Sequence, residues 1–333
     1  MTNARVRWGV LSTANICRSV NPAIQASSNG SLVAVASRDG DRAHAFAEKW
    51  SMARYYGRYE ELIADREIDA LYIPLPNGLH KEWSIRAMEA GKHVLCEKPL
   101  ALDAAECRDM ERAAGANGVT LMEAFMYRFH PRTEAVIERV RRGSLGTVRA
   151  IRSAFTFKLG RPNDVRLVPA LGGGALMDVG CYCVNVSRTL AGAEPVEVQA
   201  WARWHASGVD AHLTGMLRFP NDVVAHFDCA LDLERREFYE VAGTDAAISV
   251  DASFVPKPGN AAIIEHRAQR EEVRDDVPAA NQYLRMVEHF ADCALHRRPV
   301  RYPASEAAAN MAAIDALYRS ARAGGATVRL RAD

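Results

Sequence analysis

The sequence predicts an α/β protein. An N-terminal doubly wound parallel sheet is followed by an α+β domain with a large, mostly antiparallel open sheet. Short apolar runs alternate with helical patterns from residue 6 to residue 124, which is the signature of βαβ units. Beyond that point half-buried alternating runs follow one another across short turns, as antiparallel strands do. The length, 333 residues, exceeds what one core usually fills. A division into 1–122 and 123–333 is therefore expected.

The strands of the first half are VRWGVL (6–11), SLVAVAS (31–37), IDALYIPL (68–75), KHVLCE (92–97) and GVTLMEA (118–124). Each is a continuous apolar run, as suits a strand covered on both faces. DRAHAFAEKW (41–50), HKEWSIRAMEAG (80–91) and LDAAECRDMERAAGANG (102–118) have helical spacing, and Gly91 and Gly118 stand where glycines close helices. The second half opens with a helix through PRTEAVIERVRRG. TVRAIRSAFTF (147–157) alternates as a strand, and a Gly-rich loop leads to a helix over 172–190. Strand runs PVEVQAWARWH, AHLTGMLRFP, DVVAHFDCAL and EFYEVAG follow, and helical spacing returns over 281–298 and 305–325. The resulting sheet has one face left for another subunit, so a homodimer or homotetramer through it is expected.

Composition narrows the function classes. A net charge of +1 gives no broad basic surface for nucleic acid. No apolar run is long enough to span a membrane, and the start MTNARVRWGVL lacks a signal-peptide core, which points to a cytoplasmic protein. The seven cysteines are scattered without a C-x-x-C pair, so buried free thiols are expected rather than a metal site.

Ligands of doubly wound sheets bind beyond the carboxyl ends of the strands. GVLSTANIC, ASRDG, PLPNGLH and CEKP all fall there. In GVLSTANIC the glycines of a G-x-G-x-x-G phosphate turn are replaced by Ser12, Ala14 and Cys17. Ser12 and Ala14 are small enough for close backbone approach, Ser12 and Thr13 add hydroxyls, and Asn15 tolerates unusual backbone angles before Ile16 leads into the helix. Alone, the stretch reads equally as an ordinary βα turn. The second strand ends in Ser37-Arg38, with Arg42 a turn later; a neutral residue followed by Arg favours NADP over NAD. The alternative is a solvated Arg38 whose field Asp39 and Asp41 weaken. Pro74 and Pro76 stiffen a loop containing Leu75 and Asn77, and His80 reads as a structural cap of the next helix. Glu97-Lys98-Pro99 closes the fourth strand, where a cis Lys98–Pro99 bond would aim the lysine at the ligand. In the 172–185 stretch Asp178, Tyr182 and Asn185 share a helix face; the plain alternative is a core tyrosine bonded to Asp178.

Together PLPNGLH, AGKHVLCEKPL, EAFMYRFHP and GGGALMDVGCYCVN resemble the Gfo/Idh/MocA oxidoreductase family in motif order from residue 6 to about 190. The resemblance implies a Rossmann domain that tolerates a degraded glycine fingerprint. It also implies a nicotinamide cofactor contacted by Ser12, Thr13, Ala14, Asn15, Ile16, Ser37, Arg38, Arg42, Pro74, Leu75, Asn77, His80, Glu97, Lys98 and Arg128. Tyr182 stands where most members have His, as in the branch containing dihydrodiol dehydrogenases, D-xylose dehydrogenases and deoxysugar 3-ketoreductases. Lys98, Asp178 and Tyr182 then take the catalytic positions. Arg128 lies near cofactor and substrate, and Tyr127 replaces a usual Trp against the cofactor. Lys158, Asn163 and Arg166, in the loop before the catalytic helix, become substrate contacts.

The implied reaction is hydride transfer between the nicotinamide and a carbinol of a sugar or vicinal diol, without a metal. Tyr182 acts as general acid/base with a pKa lowered from about 10 by the Lys98 ammonium, or Lys98 moves the proton and Tyr182 positions the hydroxyl. Two alternatives stand beside it. One is a nucleotide-linked keto-sugar 3-ketoreductase, whose diphosphate Arg166 or Arg203 would hold; the other is a non-catalytic NADP-binding regulatory protein.

Overall fold

The computed structural model describes residues 5–256, 262–268 and 271–330. The chain divides into two compact units, residues 1–126 with 281–308, and residues 127–280 with 309–333.

In chain order the first unit contains β1 (Val6–Leu11), α1 (Cys17–Ala26), β2 (Gly30–Ala36), α2 (Gly40–Lys49), β3 (Arg54–Tyr56), α3 (Tyr59–Ala64), β4 (Ala70–Ile73), α4 (His80–Glu89), β5 (His93–Cys96), α5 (Ala104–Asn117) and β6 (Leu121–Glu123). Its sheet has the order β3-β2-β1-β4-β5-β6 with every pairing parallel. Strand order reverses between β1 and β4, and such a switch point is where an open sheet of this kind receives ligand. The five strands and three helices read from periodicity are all present. The short β3 and α3, too brief to show a period, were not legible. Gly91 and Gly118 take left-handed angles after α4 and α5, as expected of helix-closing glycines.

The second unit begins with α6 (Pro131–Arg141) and β7 (Val148–Lys158), followed by α7 (Cys181–Ala191), β8 (Glu197–Trp204), β9 (Asp210–Arg218), β10 (Val224–Ala230), β11 (Asp232–Gly243), β12 (Ala246–Asp251), β13 (Ala262–Ala268) and β14 (Glu271–Val277). After α8 (Gln282–His296), α9 (Ala304–Arg322) leads to β15 (Val328–Arg329). The nine-stranded sheet has the order β14-β13-β12-β11-β7-β10-β9-β8-β15, antiparallel except between β7 and β10. α7 is buried on nearly all sides, including Tyr182, Asn185, Ser187 and Arg188. Arg188 is compensated by Glu194, at 2.6 and 2.7 Å, and by Asn310 at 3.1 Å. A helix buried all round needs its polar side chains paired in this way.

Residues 281–308 depart from the expected division at 122/123. α8 carries an apolar stripe, Met286, Val287, Phe290, Ala291 and Ala294, and packs on α1 and the sheet of the first unit. Phe290 meets Trp8 of β1 with ring centroids 5.1 Å apart. The Glu288 carboxylate accepts from both the backbone N–H and the hydroxyl of Ser28, each at 2.9 Å. The stripe is plain in the sequence, but its partner lies some 280 residues earlier and leaves no local mark. All seven cysteines are free and buried, as read from their scatter. Among the described residues no helix is long and apolar enough to cross a membrane.

Candidate active site

In the first unit the turn after β1 keeps the geometry of a phosphate loop without its glycines. Ser12 occupies the first glycine position with φ of 126°, a backbone region that favours glycine. The unusual angle therefore falls on Ser12, not on Asn15, whose flexibility was the expected one. The Ser12 hydroxyl donates to the Pro74 carbonyl at 3.1 Å and accepts the Ala14 N–H at 3.2 Å, which ties the β1 turn to the β4 loop. α1 then starts after Ile16 at its N-cap position, with no capping side chain and no acidic residue in its first turn. Such a helix start suits an anion. Cys17, at the third glycine position, is fully buried, and burial pushes its thiol up to about 12. It packs as a small apolar side chain would.

The strained Ser12 yields a test. Ser12→Gly and Ser12→Ala both lose the hydroxyl bonds, but only Gly relieves the backbone, by about 1–3 kcal/mol. Ser12→Gly is therefore expected to melt at the higher temperature of the two in thermal denaturation. Equal melting would show that the angle is not strained.

At the end of β2, Ser37 is buried and Arg38 and Arg42 are exposed. The Asp39 carboxylate accepts the Arg42 backbone N–H at 3.1 Å as the cap of α2. Asp39 is thus committed to the helix start. Burial raises the pKa of the Tyr59 phenol against the pull of Arg38 and Arg42. The cradle fits a dinucleotide with a 2′-phosphate: small side chains at the turn, an uncapped helix start, and two cations at the end of β2.

The β4 and β5 loops are held from inside the unit. His80 is completely buried, with Nδ1 2.9 Å from the Pro99 carbonyl and Nε2 2.8 Å from the Leu75 carbonyl. Burial lowers its pKa against the pull of the two carbonyls. His80 is therefore corrected from a cofactor contact to a pin between two loops, in line with its reading as structural. Pro74 and Leu75 are likewise buried, and Asn77 opens a short 3₁₀ turn over Asn77–Leu79. The Tyr72 hydroxyl donates to the Glu97 carboxylate at 2.7 Å, and the Lys98 N–H donates to its other oxygen at 3.2 Å. Glu97 thus shapes the turn that presents Lys98. The Lys98–Pro99 bond is cis.

In the second unit the Gly-rich loop packs closely on the chain that precedes it. A Cβ on Gly173 would lie 2.4 Å from the Arg166 carbonyl oxygen, and the Gly174 N–H donates to that oxygen at 2.9 Å. The following turn, Leu176–Gly180, is a π-turn leading directly into α7. Asp178 sits in it and Tyr182 opens the α-helix, so the two belong to one continuous helical segment. π-turns often mark functional sites because they re-aim side chains.

Arg166 and Asp178 come together, with guanidinium Nε donating to the carboxylate at 2.6 Å. Nη1 of Arg166 reaches Asp164 at 3.2 Å, and the guanidinium lies over Phe157, 5.8 Å from its centroid. The Asp178 carboxylate raises the pKa of Arg166 against the opposing effect of burial. Tyr182 is 4% exposed and ringed by aromatics: Phe254 at 5.2 Å, Phe155 at 5.4 Å and Tyr127 at 5.8 Å between centroids. The Tyr127 hydroxyl donates to the Asn185 amide oxygen at 2.6 Å, so Tyr127 and Asn185 build the wall around Tyr182. Arg128 is buried beside them in sequence.

Other expected substrate contacts are not gathered here. Lys158 is exposed and paired with Glu234, Asn163 is exposed, and Arg203 is paired with Asp232. Two side chains that shape this part of the unit escaped the sequence reading. Phe254 follows β12 in an irregular stretch where no period marks it. Asp210, at the start of β9, accepts the Leu176 N–H at 2.7 Å at the head of the π-turn.

The Gfo/Idh/MocA profile described as an oxidoreductase family with an NAD-binding Rossmann fold matches residues 6–125, and the GFO/IDH/MocA C-terminal domain profile matches residues 133–249. D-xylose 1-dehydrogenase (NADP(+)) 2 of Haloferax volcanii is 39% identical over 96% of this chain and 98% of that protein. Trans-1,2-dihydrobenzene-1,2-diol dehydrogenase of Mus musculus is 36% identical over 75% of this chain and 76% of its own. Among solved structures, a 3-ketoreductase from Actinomadura kijaniata with NADP and TDP-benzene superposes with a TM-score of 0.91 at 29% identity, covering 95% of this chain and 98% of that one.

Proposed function

Because the chain belongs to the Gfo/Idh/MocA oxidoreductase family, we propose that it is an NADP-dependent dehydrogenase or reductase of free sugars or vicinal diols. The observation that carries the substrate class is the state of Arg166. Its guanidinium is committed to two carboxylates, Asp178 at 2.6 Å and Asp164 at 3.2 Å, and Arg203 is committed to Asp232. A diphosphate beside Asp164 and Asp178 would meet like charge, whereas sugar hydroxyls both donate to carboxylates and accept from a guanidinium. A D-xylose-like aldose or a diol therefore suits this half of the site better than a nucleotide-linked sugar.

When bound, the nicotinamide accepts or supplies the hydride of the carbinol carbon. This chain's residues handle the proton and the geometry. Tyr182 acts as general acid/base on the substrate hydroxyl, and Lys98, whose ammonium favours the phenolate, supports it. Asp178, steadied by Arg166, orients the substrate. Arg38 and Arg42 would hold the 2′-phosphate, while the turn of Ser12, Thr13, Ala14, Asn15 and Ile16 would hold the pyrophosphate. The test is turnover of NADP+ with free aldoses and diols, against NADPH oxidation with keto-sugars and nucleotide-linked keto-sugars. Turnover confined to the nucleotide-linked substrates would favour a deoxysugar 3-ketoreductase. Tight NADP binding without turnover on any of them would favour a regulatory protein.

The open sheet supports a homodimer or homotetramer in the same reading. Trp201 on β8 and Met216 on β9 are 50% and 41% exposed. Exposed apolar side chains on a sheet face mark an association surface when they adjoin one another, and Gln199, two residues before Trp201, pairs in register with Met216. Light scattering is expected to give a multiple of the 36.6 kDa chain mass, and Met216→Glu to shift it toward the monomer.

A further inference from the structure

Asp210 is almost fully buried at the start of β9, and its two oxygens have separate tasks. Oδ2 accepts the Leu176 N–H at 2.7 Å, at the head of the turn carrying Asp178 and leading to Tyr182. Oδ1 accepts the Tyr318 hydroxyl of α9 at 2.7 Å. Gly174, with φ of 121°, lets the loop pass this carboxylate: a Cβ there would lie 2.1 Å from Oδ1. Three segments far apart in sequence, the Gly-rich loop, β9 and α9, thus converge on one carboxylate at the start of the helical segment that bears the proposed catalytic groups.

We propose that Asp210, latched by Tyr318, is a positioning residue for the Asp178–Tyr182 segment and that turnover requires its carboxylate ionised. The proposal rests on the assignment of Asp178 and Tyr182 to the chemistry. An ionised Asp210 accepts both bonds and favours the positive end of the helix. A protonated one loses the charge that strengthens both bonds, and its O–H is added beside two groups that are themselves donating to it, so the grip on the turn weakens. Burial pushes the Asp210 carboxyl up to about 6, against the pull of Tyr318 and the Leu176 N–H. The protonated state is therefore reached under mild acid. Among the described residues, the other titratable or charged groups facing this pair are Cys229 of β10 and Arg322, whose guanidinium lies 5.4 Å from the Tyr318 ring centroid. Burial and Asp210 itself hold the Tyr318 phenol well above its ordinary pKa, so it stays a donor.

The experiment compares wild type, Asp210→Asn and Tyr318→Phe in two readouts. In pH profiles of kcat, wild type is expected to lose activity as pH falls through about 6. Tyr318→Phe is expected to move that limb up by about one pH unit, because a lost bond to a carboxylate favours its acid. Asp210→Asn is expected to lack the limb and to run at a kcat lowered about tenfold, with unchanged NADPH affinity. The second readout is melting temperature against pH and needs no substrate. A folded-state pKa above the unfolded value contributes stability that is full below about 4 and is lost as pH rises through about 6. The advantage of wild type over Asp210→Asn is therefore expected to shrink across that window, and the window to extend upward in Tyr318→Phe. If the substrate class is wrong, the melts still show the shift while turnover is absent. Profiles and melts that coincide for wild type and Tyr318→Phe would overturn the proposal.

Discussion

Tyr182→Phe is expected to lower kcat by about 10²–10⁴-fold, the usual worth of a positioned general acid/base, with NADPH affinity within about twofold of wild type. The substitution is clean because the Tyr182 ring is held by Phe155, Phe254 and Tyr127 through its faces and edges. A phenylalanine keeps those ring contacts, so the variant is expected to fold and bind cofactor while losing turnover. Lys98→Ala, measured beside it, separates the two proton-transfer assignments. If Tyr182 moves the proton, its loss is the larger and Lys98→Ala mainly moves the acidic limb of the NADP+-linked pH profile upward, since an ammonium favours the phenolate. If Lys98 moves it, the order of the two losses reverses. Stopped-flow or steady-state turnover with NADP+ reads this directly, and normal kcat in both variants would remove the pair from the chemistry.

Arg38→Ala is expected to weaken NADPH binding by about 10–100-fold and to leave NADH binding nearly unchanged, the span set by about 1.5–3 kcal/mol for a charge-assisted hydrogen bond. The structure answers the objection that Asp39 would cancel the arginine's field. The Asp39 carboxylate accepts the Arg42 N–H as a helix cap, so its charge is partly spent on the start of α2. The contrast between cofactors is expected to fade at high salt, because Arg38 is exposed and its field is screened. Calorimetric titration with both cofactors at two salt concentrations checks it; an equal loss for NADPH and NADH would place Arg38 away from the 2′-phosphate.

Much of the protein was legible because its signals are local. Continuous apolar runs announced the strands of the parallel sheet, glycines announced helix ends, and the residue types at the strand ends announced the ligand edge. The proposal of Lys98, Asp178 and Tyr182 as a set rests on motif resemblance, since no period distinguishes a tyrosine facing a substrate from one facing a core. The π-turn at Leu176–Gly180 illustrates the limit. The spacing from Asp178 to Tyr182 reads as one helical turn, but the sequence does not announce that the turn is widened, nor that a carboxylate 34 residues away holds its start.

The sequence by itself determined the two architectures, the order of the motifs and the identity of the charged groups at the strand ends. Hydrophobic period and turn chemistry act over a few residues and need no distant partner. Only the tertiary structure decided that α8 belongs with the first unit, that His80 is a pin, that Ser12 bears the backbone strain, and that Arg166 is already paired. It alone joined Asp210 to Tyr318 across 108 residues of chain. Each of these depends on which distant surfaces are buried against each other, and burial is settled by the packing of the whole chain.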